Sequence, residues 1–196
     1  YLMMPRIFRK KAEQYFRKQM ELLTSAGFDA LGIGSMEEPG FLREAGIELP
    51  MYFDQGMYSW NHLAGAAMER YGADRLTIPV ELNEREIRDS GVQGEMIVYG
   101  YLPMMISAQC IRKTTIGCSG KSEIMWLKDR KDMRFPVVNQ CRFCYNTIYN
   151  SAPLSLLGLS EQVTGLKPNA VRLNFTVEEP AAAGEILDAF FEEYGM

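Results

Sequence analysis

Short apolar segments alternate with amphipathic helical segments along most of this chain. Helices are predicted where apolar residues recur at spacings of three and four, as in 11–26, which Gly27 ends. Strands are predicted for the segments 2–8, 28–33, 50–53, 75–78, 95–99 and 170–175. The other predicted helices are 36–45, 60–71, 84–90 and 180–194. Because the strands return about every 23–25 residues, the pattern predicts βαβ units and a parallel sheet.

A doubly wound sheet and a (β/α) barrel both fit this alternation. A complete barrel usually needs about 250 residues, whereas this chain has 196. The predicted fold class is therefore α/β, in the form of a partial TIM-like (β/α) barrel. The chain begins with Tyr1 inside a predicted strand, so we expect a piece of a larger protein that lacks the first half of the barrel.

The segment 103–157 interrupts the alternation. It is far longer than an ordinary connection between a strand and a helix, and loops of more than about 15 residues are usually functional. No low-complexity linker separates it from the rest of the chain. We therefore predict a single domain over 1–196 with a long cysteine-bearing insertion at 103–157.

Composition excludes some classes of protein. The net charge of −4 gives no general support for nucleic-acid binding, although a local basic patch would still allow it. No apolar run approaches the roughly 20 residues that cross a bilayer. The first residues do not form a signal peptide, because a charged segment, 6–18, follows them. The expected location is the cytoplasm, without a membrane partner.

All four cysteines of the chain, Cys110, Cys118, Cys141 and Cys144, lie in the predicted insertion. The last two form a CxxC pair, which places two thiolates on one turn and is a common half of a tetrahedral metal site. Four sulfur ligands suit zinc or an iron–sulfur cluster. Two other interpretations stay open: the cysteines are small buried hydrophobic residues, or they form disulfides.

Basic residues are concentrated around the cysteines of this acidic chain. They are Arg112, Lys113, Lys121, Lys128, Arg130, Lys131, Arg134 and Arg142. Such cations would offset the negative charge of metal-bound thiolates. A solvated loop surface and a docking surface for an anion or an RNA backbone are the alternatives.

Candidate catalytic residues follow the predicted strands. Asp54 and Glu81 lie near strand carboxyl ends, where barrels place their active sites, although both positions also suit a polar rim or a helix start. Asn83 is the expected N-cap of the helix 84–90. The single histidine, His62, lacks an HExxH motif, and a surface position at a helix start is the simpler interpretation.

Five segments carry a resemblance to a known family. They are 97–110, in which a strand and a glycine lead to Cys110; 141–145, with a Cys-Arg-aromatic sequence; 77–83, a strand that ends in Pro-Val-Glu-Leu-Asn; 54–61, which also contains Tyr58 and Asn61; and 172–176, Arg-Leu-Asn-Phe-Thr. Together they resemble peptidase family U32, the collagenase-like proteases. The first two segments are the most specific, and the resemblance covers nearly the whole chain.

The resemblance implies a TIM-like barrel and two kinds of activity. One is a collagenase-like peptidase that hydrolyses a protein substrate. The other is an oxygen-independent or prephenate-dependent hydroxylase of RNA bases or ubiquinone precursors, which holds a [4Fe-4S] cluster on four cysteines. Arg172 would then be a candidate anchor for a carboxylate substrate. In this chain the third and fourth cysteines are closer in sequence than in the family pattern. A non-catalytic binding module anchored by zinc is a further alternative.

Overall fold

The computed structural model describes residues 1–195, which form two compact units. The first contains residues 1–96 and 168–170, and the second contains residues 97–167 and the described chain from Val171 onward. Eight α-helices and three sheets in the described residues make this a mixed α/β protein. No helix in this part of the chain combines the length and the apolar character that a membrane span requires.

The first unit is built on a parallel sheet. Its strands are β1 (Leu2–Met3), β2 (Leu31–Ile33), β3 (Met51–Phe53) and β4 (Arg75–Leu76). They lie side by side in chain order, and every pairing is parallel. Leu31, Ile33 and Phe53 are fully buried in the core. The predicted parallel sheet is confirmed for these four strands, whereas the strands predicted at 95–99 and 170–175 belong to a separate sheet; closure into a barrel stays a prediction.

Five helices accompany this sheet. They are α1 (Lys10–Lys18), α2 (Met20–Ser25), α3 (Glu37–Glu44), α4 (His62–Tyr71) and α5 (Glu84–Ser90). The single helix predicted for 11–26 is wrong in one respect, because Gln19 leaves the helical conformation and separates α1 from α2. The predicted strand 2–8 is also too long. It ends at Met3, shortly before Pro5, which has no backbone N–H for a sheet ladder.

The start of α5 confirms its predicted cap. Asn83 Oδ1 accepts a hydrogen bond from the Glu86 backbone N–H at 3.1 Å, and the Glu86 carboxylate accepts one from the Asn83 N–H at 2.8 Å. This reciprocal pair satisfies two N–H groups that the helix itself cannot.

Replacing Asn83 with Ala should therefore lower the free energy of unfolding by about 1 kcal/mol, measured by urea denaturation. Asn83→Asp is the matched control, because an Asp oxygen can still accept from Glu86. Equal losses in the two variants would contradict a capping role.

Seven more strands follow along the chain. They are β5 (Glu95–Gly100), β6 (Pro103–Ser107), β7 (Ile124–Lys128), β8 (Arg134–Gln140), β9 (Tyr145–Tyr149), β10 (Leu154–Ser155) and β11 (Ala170–Asn174). The remaining helices are α6 (Ile111–Thr115), α7 (Ser160–Gly165) and α8 (Pro180–Tyr194). Strands β10, β5 and β11 form one sheet in that order. The predicted helix 180–194 is confirmed, with its proline in the first turn.

The segment predicted as an insertion contains a sheet of its own. Strands β6, β9, β8 and β7 lie in that order, and each neighbouring pair is antiparallel. The sequence pattern did not predict these strands. The reason is that β8 places Pro136, Val137 and Asn139 in buried positions, so apolar and polar residues do not alternate cleanly along it.

Candidate cofactor site

The topology of the antiparallel sheet brings the four cysteines to one end. Strands β6 and β8 run toward this end, and β7 and β9 begin there, because each neighbouring pair is antiparallel. Cys110 follows β6, Cys118 precedes β7, and Cys141 and Cys144 lie in the turn between β8 and β9. Two connections that are separate in sequence, one between β6 and β7 and one between β8 and β9, therefore meet at this end of the sheet.

All four cysteines line a single cavity of about 600 Å³, which we call the cysteine cavity. Cys110 and Cys141 are half-buried, whereas Cys118 and Cys144 are exposed, and none forms a disulfide. Lys113 and Asn139 are also part of the wall. With Gln109, the wall gives four sulfur atoms, one cation and two amides around a space that is open to a ligand.

The buried side chain of Asn146, at the start of β9, holds the segment that carries Cys110. Its Nδ2 donates to the carbonyl oxygens of Gln109 at 2.6 Å and Ser107 at 3.3 Å. Its Oδ1 accepts from the Ile111 N–H at 3.3 Å, in the first turn of α6. Asn146 has no solvent exposure. Because an unmet hydrogen bond in a buried site is costly, these three bonds fix the backbone on both sides of Cys110.

A second buried amide, Asn139, holds the segment that follows Cys118. Asn139 pairs with Asn146 across β8 and β9. Its Oδ1 accepts from the Glu123 N–H at 2.6 Å, and its own N–H donates to the Glu123 carbonyl at 3.2 Å. The Glu123 carboxylate accepts from the Ser119 hydroxyl at 2.9 Å and pairs with Arg112. Glu123 thus connects the residue after Cys118 to the helix that begins after Cys110.

The turn that carries the CxxC pair has a fixed conformation. The Cys141 N–H donates to Ser122 Oγ at 3.2 Å, and the Cys144 thiol lies 3.6 Å from the Cys141 carbonyl oxygen, to which it donates. Cys144 has a φ of 58°, in the left-handed region that few residues other than glycine adopt. This conformation ends the turn and begins β9, so both thiols stay on the connection between β8 and β9.

The electrostatics of the cavity favour the neutral thiol form of Cys141. Burial raises the pKa of the Cys141 thiol, and the neighbouring thiols of Cys118, Cys144 and Cys110 raise the pKa further. Several thiolates close together repel one another, which is the cause of the second effect. A bound metal would reverse this balance, since it attracts the thiolate form.

The chemistry of these donors fits a four-sulfur cofactor. Four cysteines around one cavity match the ligand sets of a zinc site and of a [4Fe-4S] cluster. In residues 1–195, however, no three His, Cys, Asp or Glu side chains have the spacing of an assembled metal centre. The cavity thus provides four sulfur donors, although in the described residues they are not arranged as an assembled metal centre.

The other candidate residues lie elsewhere. Asp54, directly after β3, is 3% exposed and pairs with Arg6. Glu81 is exposed in the turn after β4. Both belong to the first unit, whereas Arg172 is a half-buried residue within β11 of the second unit. The structure therefore does not assemble these three into one catalytic group within either unit.

Helix capping accounts for two of the polar residues that follow predicted strands. Asn61 accepts from the Ala64 N–H at 2.9 Å as the N-cap of α4, and Asn83 caps α5. His62 is the exposed first residue of α4. Tyr58, exposed and in the left-handed region, packs edge-to-face on Trp60. The capping amides therefore have a structural role here.

The sequence analysis did not single out the residues that hold the cysteine loops. Asn139 and Asn146 are amides at the ends of apolar strands, beside the CxxC pair. A polar residue inside a buried strand indicates either an edge position or a specific hydrogen-bonding role. That signal was present, but the pairing of the two amides depends on strand register, which the sequence pattern did not supply.

The fold and the cavity define an α/β protein with a four-cysteine candidate cofactor site. The sequence profile of peptidase family U32 matches residues 1–178 of the 196 residues, so the chain belongs to this family. Comparisons with curated proteins and with solved structures found no match.

Proposed function

We propose that the four cysteines hold a [4Fe-4S] cluster and that the chain is part of an iron–sulfur-dependent hydroxylase. The single observation behind this proposal is that all four thiols line one cavity. Because all four cysteines of the chain are part of the cavity wall, a complete set of four thiolate ligands for such a cluster is available there. Zinc on the same four sulfur atoms is the alternative occupant.

The side chains around the cavity support a charged sulfur cofactor. A cluster of this kind supplies one-electron chemistry when it is bound. Lys113 in the wall would offset the negative charge of the thiolates, and the hydrogen bonds of Asn146 would keep the Cys110 loop in place. An RNA base or a quinone precursor, the substrates that the family resemblance implies, would bind beside this cavity.

A collagenase-like peptidase is the second candidate, because the family carries that description. The described residues give it less support from geometry. His62 is exposed at the start of α4, and Asp54 is engaged by Arg6, so neither forms an evident pair with a nucleophile. A protein substrate therefore stays a proposal that depends on family membership.

Anaerobic purification should give a brown protein that absorbs at about 400 nm and contains about four iron atoms per chain. Cys110→Ser and Cys144→Ser should each abolish most of the colour, because each removes one of four ligands. Thr115→Ala is the matched control, since this exposed residue of α6 only bonds the helix backbone. Colourless protein with one zinc per chain would contradict the cluster and support a zinc-anchored module.

Hydrolysis is tested separately with gelatin and casein. If the chain is a peptidase that depends on its cysteines, Cys110→Ser should lower the cleavage rate by at least about 100-fold. We expect no cleavage above the level of buffer alone. Cleavage that persists in Cys110→Ser but disappears in Asp54→Asn would overturn this expectation and identify a carboxylate-dependent peptidase.

A further inference from the structure

A second polar site lies in the first unit, at the carboxyl ends of three neighbouring parallel strands. Arg6 follows β1, Gly34 follows β2, and Asp54 and Gly56 follow β3. The carboxyl edge of a parallel sheet is where α/β proteins place their ligands. All these residues belong to one compact unit, and none takes part in the cysteine cavity.

Two glycines make room for the side chain of Arg6. A methyl group on Gly34 would lie 3.2 Å from Arg6 Cδ, and a methyl group on Gly56 would overlap Arg6 Nη1. The arginine therefore passes directly beside both glycines, and a side chain at position 56 would require the guanidinium to shift.

Asp54 holds the guanidinium from the buried side. It is 3% exposed and accepts from Arg6 Nη2, whereas the Arg6 side chain keeps 21% of its surface exposed. A guanidinium carries five N–H donors in a planar fork, and among the described residues Asp54 is the side-chain partner of Nη2. Nη1 lies beside Gly56, and part of the Arg6 side chain stays accessible to solvent.

The backbone N–H groups that precede α3 are not available to bind an anion at this edge, because the side chain of Glu38 in the same helix occupies them. The Glu38 carboxyl group accepts from the backbone N–H groups of Gly34 at 2.8 Å and Ser35 at 3.3 Å. Burial raises the pKa of Glu38 to about 8, so this group is mostly uncharged at neutral pH. The buried part of this edge then carries the Arg6 cation and the Asp54 anion, while the Glu37 carboxylate lies on the exposed side of the same helical turn.

Polar atoms without partners mark the same edge. Glu38 Oε1 and both polar atoms of the Gln55 side chain are buried and have no hydrogen-bond partner among the described residues. Glu38 is fully buried, and Gln55, between Asp54 and Gly56, is 5% exposed. Buried groups of this kind are rare in folded proteins and commonly indicate a functional site.

We propose that Arg6 anchors a carboxylate ligand at this edge of the parallel sheet. A carboxylate matches the planar fork and can accept two parallel hydrogen bonds from it, with Asp54 keeping the fork in orientation. The carboxylate could belong to a small organic acid or to the free carboxyl terminus of a peptide, which present the same group. This site goes beyond the proposed cluster chemistry, because its residues are distinct from the cysteines.

Binding is measured on the full chain by NMR titration with three probes: succinate, acetyl-trialanine with a free carboxyl terminus, and the same tripeptide as its amide. Whichever carboxylate probe binds, succinate or the free tripeptide, its affinity should fall about tenfold or more in the double variant Arg6→Gln/Asp54→Asn. This variant removes both charges together, so it leaves no buried charge unpaired. Binding of succinate alone identifies a small acid, and binding of the free tripeptide but not of its amide identifies a peptide terminus.

Gly56→Ala keeps every charge but displaces the guanidinium, so it should weaken binding severalfold without unfolding the chain. Gly40→Ala and Arg17→Gln are matched controls, because a methyl at Gly40 meets nothing and Arg17 is an exposed residue of α1. Both control variants should bind the carboxylate probe as the unmodified chain does.

The Cys110→Ser variant should also bind the carboxylate probe normally, which separates this site from the cluster. The proposal is overturned if neither carboxylate probe binds, if acid and amide bind equally, or if Gly56→Ala and the double variant bind as tightly as the controls.

Discussion

Asn146→Ala should lower the free energy of unfolding of the second unit by about 3 kcal/mol and should abolish retention of the cofactor. The reason is the position of the amide between two loops. Its removal leaves the carbonyls of Ser107 and Gln109 and the N–H of Ile111 without their partner and leaves a space where the fully buried amide was. The backbone around Cys110 would then lose its fixed orientation toward the other three thiols.

Urea denaturation and the iron content after anaerobic purification measure the two effects. Asn150→Ala is the matched control, because this half-buried amide accepts only from the N–H of the next residue, Ser151. Asn146→Asp is informative as well. It keeps an oxygen that can accept from the Ile111 N–H, but it replaces the Nδ2 donor with a carboxylate oxygen that faces the carbonyls of Ser107 and Gln109. Full iron retention in Asn146→Ala would show that the amide does not position Cys110.

Glu38→Gln should make the chain more stable than the unmodified protein at pH 9, with a difference on the order of 4 kcal/mol. Burial raises the pKa of Glu38 from 4.5 to about 8, while the N–H groups of Gly34 and Ser35 and the charge of Arg6 oppose that rise and Glu37 adds to it. Folding therefore favours the protonated acid. Its contribution to stability is fully present below about pH 4.5 and is lost as the pH rises through about 8.

The measurement is the free energy of unfolding of both proteins between pH 5 and pH 9. The unmodified chain should lose stability across this range relative to Glu38→Gln, whose amide stays neutral and can still accept from Gly34. Glu37→Gln is the control, because Glu37 is an exposed residue of the same helical turn and should leave the pH dependence in place. Parallel stability curves for the chain and Glu38→Gln would show that Glu38 is ionised in the folded state at neutral pH.

The sequence pattern predicted the elements whose signals are local. The helix 84–90 followed from a cap at Asn83, and the helix 180–194 followed from a proline in its first turn. The parallel sheet followed from the spacing of its strands. Gln19 was not recognised as a helix end because it is a good helix former, and only the conformation of the folded chain interrupts the helix there.

Residues whose roles depend on distant partners could not be predicted in this way. The sequence places Arg6 and Asp54 far apart, and only the parallel pairing of β1, β2 and β3 brings them together. Glu38 has the appearance of an ordinary acidic residue in a first helical turn. Its burial depends on the surrounding packing, which a periodicity analysis does not describe. The four cysteines were identified because their spacing is visible in one segment of sequence.

That segment also has consequences for the order in which the chain folds. Within it, β7 pairs with β8 and β8 pairs with β9 as hairpins between consecutive strands, and the turn between β8 and β9 carries Cys141 and Cys144. Strands β1 and β2, by contrast, pair Leu2 with Leu31 across two intervening helices. Since closing a short loop costs less entropy than closing a long one, we expect the antiparallel hairpins to form first during refolding. Capture of iron or zinc would then begin while the parallel strands are still unpaired.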